Sequence, residues 1–64
     1  MAYKNLIAEM ARNGISDSKI AEVAMVTSRT VYNWRVGKSE PSITQCWRIK
    51  RQLFPDFTLD YLFE

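Results

Sequence analysis

The chain has 64 residues, a net charge of +2 and 47% hydrophobic residues, with two Gly, two Pro, one Cys and no His. That length makes one domain, residues 1–64, which must bury a compact core from roughly 60% of its unfolded surface. The composition excludes collagen-like, Pro-rich and disordered chains, and it removes His-based catalysis, His-ligated metals, an internal disulfide and a Cys-based zinc cage within one chain.

In chain order, Tyr3, Leu6, Ile7 and Met10 recur at i, i+3, i+4 and i+7, the spacing of one helix face. Asn13-Gly14 ends that helix, because Gly accepts the left-handed geometry just past a helix end. Ser16 caps a second helix whose inner face is Ile20, Ala21 and Ala24, and the next break falls at Met25-Val26. Thr27 caps a third helix; Val26 and Val31 have hydrophobic-staple spacing, Val31 and Trp34 point inward, and Gly37 stops the helix. Pro41 delays a restart, and Ser42 with Gln45 forms a capping box.

The fourth helix presents Ile43, Cys46, Trp47, Lys50, Leu53 and Phe54 at helical spacing until Pro55, with the Lys50 stem packed and its charge outside. Trp34 and Trp47 are both expected in the core, with a partner surface the alternative for Trp47, and Cys46 is expected to be a small buried apolar residue rather than a nucleophile. Thr58 caps a short fifth helix, with Phe57 and Leu62 as its staple. Glu9 and Glu22 are expected as exposed helix charges. The expected fold class is all-α, five short helices around one core.

Charge is unevenly placed. Between Thr27 and Phe54 six cations stand against one anion, whereas residues 55–64 carry three anions and no cation. A basic face of this kind attracts polyanions. The second and third helices are separated by only about three residues, which forces a steep crossing, and Ala21 is the small residue such a joint needs. On a helical wheel with Val31 and Trp34 inward, Arg29, Asn33 and Val36 point outward, flanked by Tyr32 and Ser28. These side chains suit base edges: Arg bridges guanine O6 and N7, Asn pairs with adenine N6 and N7, hydroxyls bond bases or phosphates, and Val meets a thymine methyl.

The stretch SDSKIAEVAMVTSRTVYNWRVGKSEPS resembles the helix-turn-helix of the Cro and phage-repressor superfamily, the xenobiotic-response-element type. The matching residues are Ile20-Ala21, Val26-Thr27, Thr30-Val31, Trp34, Gly37-Lys38 and Pro41-Ser42, and the tail PDFTLDYLFE resembles the closing helix of such domains. The resemblance implies a compact five-helix lambda-repressor-like domain with the helix-turn-helix in helices 2 and 3. It implies base contacts from Ser28, Arg29, Tyr32 and Asn33, and backbone contacts from Lys19, Arg35, Lys38 and Ser42, the last through its amide.

Three departures stand out. Met25 occupies the joint where the family usually has Gly. Asp17 occupies the place of a phosphate-binding Gln, and its carboxylate would repel a phosphate. Met10 and Arg35 replace the family's Arg–Glu pair, which frees Arg35 for the DNA backbone or for Glu9.

The expected function is sequence-specific binding of double-stranded DNA by a transcription regulator of the Cro or repressor kind, not an enzyme, with no cofactor. The expected partners are a DNA operator and a second copy of the chain, because Phe54, Phe57, Leu59, Tyr61, Leu62 and Phe63 exceed what one small core covers easily; the alternative is that these residues complete the core of a single copy. The alternative is a protein-binding module of the same fold, anti-repressor or antitoxin-like, using that C-terminal surface. No secretory or membrane-spanning segment is expected, and the resemblance implies a bacterial cytoplasm and a phage or prophage origin.

Overall fold

Each helix begins where a hydroxyl side chain captures an orphan amide, with one exception. In the computed structural model, which describes residues 2–64, the helices are α1 (Lys4–Asn13), α2 (Asp17–Ala24), α3 (Ser28–Arg35), α4 (Ile43–Leu53) and α5 (Leu59–Leu62). Ser16, Thr27, Ser42 and Thr58 cap α2 to α5, each accepting the backbone N–H three residues on. The described residues contain no strand. The exception is α1: Tyr3 precedes it in a left-handed conformation (φ 58°) with no side-chain cap. Tyr3 therefore lies outside the helix whose face it was expected to extend, and its ring meets Phe63 edge-on at 5.7 Å.

The helix ends follow the glycines. Gly14 (φ 65°) returns its N–H to the last turn of α1. Past α3, Gly37 (φ 82°) turns the chain back so that the Lys38 N–H reaches the Asn33 carbonyl at 2.9 Å. The core unites Leu6 and Met10 of α1, Ile20, Ala21 and Ala24 of α2, Val31 and Trp34 of α3, Ile49 of α4, and Phe54 and Leu62. α2 packs on α3 and α4, while α5 closes over α1 and α4. The Ala2 N–H donates to the Arg35 carbonyl at 3.2 Å, which ties the amino-terminal segment to the end of α3.

Two burial expectations are corrected and one alternative is decided. In α4 and at its end, Cys46, Leu53 and Phe54 pack inward as expected, but Ile49, 0% exposed, joins them in place of Ile43 and Trp47, which are 67% and 45% exposed. Both faces are amphipathic by spacing, and the direction from which α2 and α5 approach selects between them. Glu9 is buried, 3% exposed, because α5 folds over it: the Tyr61 hydroxyl donates to Glu9 Oε2 at 2.7 Å and Arg12 donates to the same oxygen. The C-terminal aromatic cluster is largely absorbed by the monomer. Phe54 and Leu62 are buried, and Phe57, Tyr61 and Phe63 pack on the core, Phe57 stacking on Tyr61 at 5.3 Å.

Candidate nucleic-acid interface

The joint between α2 and α3 is Met25-Val26-Thr27. Met25 is left-handed (φ 63°, ψ 45°), and the Val26 N–H then reaches the Ala21 carbonyl at 2.9 Å. Ala21 and Ala24 are both buried, so the small side chains the joint requires lie where the two helices meet. Val26 and Val31 clamp the turn from beneath, Val31 being buried and Val26 packed against the core. Thr27 Oγ1 accepts the Thr30 N–H at 3.2 Å and lies 3.1 Å from the Thr30 hydroxyl. The start of α3 is thus fixed by a cap, a staple and a closed turn.

This geometry brings the amino-terminal ends of α2 and α3 together. The Ser18 and Ser28 hydroxyls are 3.3 Å apart, both on exposed residues. Two helix ends side by side direct their unpaired amides and positive dipole ends to one surface. Ser18 was not among the sequence-derived candidates; its place beside Ser28 depends on how the two helices cross.

The four base-contact candidates have different environments. Ser28 and Arg29 are exposed on the first turn of α3, and the Arg29 guanidinium lies over the Tyr32 ring, 5.5 Å from its centroid. Tyr32 is 45% exposed and Val36 46%. Asn33 differs from the wheel-based expectation: it is half-buried, and its Oδ1 is shut off from solvent with no hydrogen-bond partner among the described residues. The chain after Gly37 folds back on that side, with the Lys38 and Ser39 amides both reaching the Asn33 carbonyl.

The backbone-contact candidates divide similarly. Lys38 is exposed in the loop after α3. Lys19 is exposed and lies 3.6 Å from Glu22, a surface pair one helical turn apart. The Ser42 amide is already occupied, because Gln45 Oε1 accepts it at 2.7 Å in the capping box; the expectation that this amide serves a phosphate is corrected by the box itself. Arg35 is bound to Asp17: its Nη1 donates to both carboxylate oxygens, at 3.1 and 2.9 Å. Glu9 is not its partner, being held by Arg12 and Tyr61. Two departures from the family pattern, Asp17 and Arg35, therefore neutralise one another.

Arg48 is a further cation at this end of the molecule. Its Nη1 reaches the Met25 sulfur at 3.1 Å, which holds a positive charge beside the joint. Cys46 is buried and free, and burial raises its thiol pKa above the ordinary value, keeping it a neutral packing residue. No helix among the described residues is long and apolar enough to cross a membrane.

No protein-family model, no curated protein and no solved structure matches this chain. The class assignment therefore rests on the arrangement itself: five helices, the second and third joined by a three-residue turn into a helix-turn-helix with the start of α3 exposed.

Proposed function

We propose that this protein is a sequence-specific double-stranded DNA-binding transcription regulator of the small Cro or phage-repressor kind, with α3 entering the major groove. The observation that supports it most is the exposed first turn of α3, carrying Ser28 and Arg29 on a capped and stapled scaffold, beside the amino-terminal end of α2. A groove about 12 Å wide accepts one helix in this way. Lys19 and Arg48 supply positive charge around that end, Lys38 adds an exposed cation in the loop after α3, and Arg35 contributes to DNA only through donors left over from Asp17. Regulation follows from occupancy of a promoter by a cytoplasmic, phage- or prophage-encoded protein.

Dimerisation on DNA belongs to the same proposal, since one short helix buries little DNA surface and a second copy adds a half-site about one helical turn away. The surface for it is the outer face of α4. Ile43 and Trp47 are exposed there beside Arg51, which lies 6.0 Å over the Trp47 ring. The acidic end of the chain, Asp56, Asp60 and Glu64, offers a partner copy the opposite charge. The same apolar face favours the competing reading, a protein-binding module of this fold.

Selection of bound sites from random duplex DNA separates the two. An enriched sequence, with affinity falling steeply as salt rises, supports the DNA-binding reading. The absence of enrichment at low salt supports the protein-binding module.

A further inference from the structure

We infer that the reading edge of α3 is the Arg29–Tyr32 pair, and that it selects a guanine stacked next to a 5-methylpyrimidine, thymine or 5-methylcytosine. This rests on the DNA-binding reading above and narrows it to a target chemistry. Residues 29 and 32 are one turn apart and share a helix face. Arg29 is exposed and takes part in none of the ion pairs among the described residues, and its guanidinium is held over the Tyr32 ring at 5.5 Å. A ring face holds a guanidinium without consuming its N–H donors. The planar fork remains available for guanine O6 and N7, and the stack orders a side chain that would otherwise lose rotamer freedom on binding.

The neighbouring position on the wheel is less accessible to the alternative base. Pairing with adenine needs both the carbonyl and the amide of an Asn side chain. Asn33 is half-buried and its Oδ1 is occluded, so presenting both halves of that pattern requires its amide to turn. Beside Arg29 the exposed surface is instead apolar: the Tyr32 ring, with Val36 one turn further on. In the major groove the apolar feature of a base edge is the C5 methyl of thymine, and 5-methylcytosine carries the same group. Tyr32 thus acts through its ring, as a positioning residue for Arg29 and a contact for the methyl, and its hydroxyl is dispensable.

The test starts from the best-bound duplex of a random selection, which is expected to contain guanine beside thymine. Replacing that guanine by 7-deazaguanine removes the N7 acceptor and is expected to weaken binding about tenfold. Replacing the thymine by deoxyuridine removes one methyl and is expected to weaken binding roughly fourfold. Cytosine at that position, re-paired with guanine, is expected to bind like deoxyuridine, and 5-methylcytosine to restore the loss. Tyr32→Phe is expected to keep the methyl dependence and Tyr32→Ala to abolish it, both variants remaining folded by circular dichroism because the residue is exposed. Selective binding that ignores the methyl, lacks the guanine, or keeps its methyl dependence in Tyr32→Ala overturns the inference and leaves the DNA-binding reading standing. Binding without any sequence preference overturns both.

Discussion

Arg35 Nη1 bridges both carboxylate oxygens of Asp17, joining the last turn of α3 to the first turn of α2 across 18 residues of sequence. Asp17 also sits at the positive end of the α2 dipole. Both side chains are partly exposed, so the interaction is screened by solvent and modest in size. Asp17→Asn is expected to lower stability by about 0.5–1 kcal/mol, and the loss is expected to shrink in high salt. Urea denaturation at two ionic strengths measures it.

Met25 carries the one strained non-glycine conformation at the interface. A left-handed residue with a side chain costs roughly 1–2 kcal/mol, and the extra unfolded-state freedom of Gly returns about 0.5–1 kcal/mol of any gain. Met25 is exposed, so its removal leaves no cavity. Met25→Gly is expected to stabilise the domain by about 0.5–1 kcal/mol, seen as a higher denaturation midpoint with an unchanged urea slope.

Glu9 and Tyr61 link α1 to α5. Glu9→Ala removes the acceptor that the Tyr61 hydroxyl and the Arg12 guanidinium share and is expected to lower the urea midpoint. The phenol also makes the link pH-dependent. The hydrogen bond to Glu9 raises the Tyr61 pKa above its ordinary 10.0, with desolvation and the Glu9 charge adding to it and Arg12 opposing. The folded state therefore holds this proton more tightly than the unfolded state. The stabilisation is full below pH 10 and is lost as pH rises from there through the folded pKa. Burial similarly raises Tyr3, with Glu40 and Cys46 adding to it, so the contribution of Tyr61 is isolated by comparison with Tyr61→Phe. The wild type is expected to lose more stability than that variant above pH 10.

Burial in α4 separates two large residues that are two positions apart and face opposite ways. Ile49→Ala is expected to cost about 2–5 kcal/mol, enough to unfold much of so small a domain at room temperature. Trp47→Ala is expected to change monomer stability by under about 1 kcal/mol. The same Trp47 variant is expected to weaken concentration-dependent self-association on DNA, read by analytical ultracentrifugation of the complex.

On DNA, Arg29 and Lys38 are expected to behave differently. Arg29→Ala is expected to cost about 1–3 kcal/mol and relax preference at one base pair. Lys38→Ala is expected to weaken all sequences alike and to lower the salt slope by about one. Asn33→Ala is expected to change base preference less than Arg29→Ala, because Asn33 is half-buried whereas Arg29 is exposed. Titration of a set of single-base operator variants at several salt concentrations distinguishes the three.

Much of the fold follows from short-range chemistry. Ser16, Thr27, Ser42 and Thr58 cap the helices they precede, and Gly14 and Gly37 end theirs, since caps and left-handed turns involve residues only a few positions apart. The three-residue joint, its small Ala21 and its Val26–Val31 staple were legible for the same reason. What tertiary structure alone decided is which of two plausible partners each side chain meets. Ile49 rather than Trp47 is buried because α2 and α5 approach one side of α4. Glu9 is covered because α5 returns across α1, and Arg35 meets Asp17 because the joint swings α3 back to the start of α2. Asn33 is half-buried where the wheel places it outward, and the chain past Gly37 returns to its backbone carbonyl. Helix spacing defines faces, but the energy that chooses between them comes from contacts made across the chain, between residues that sequence distance keeps apart.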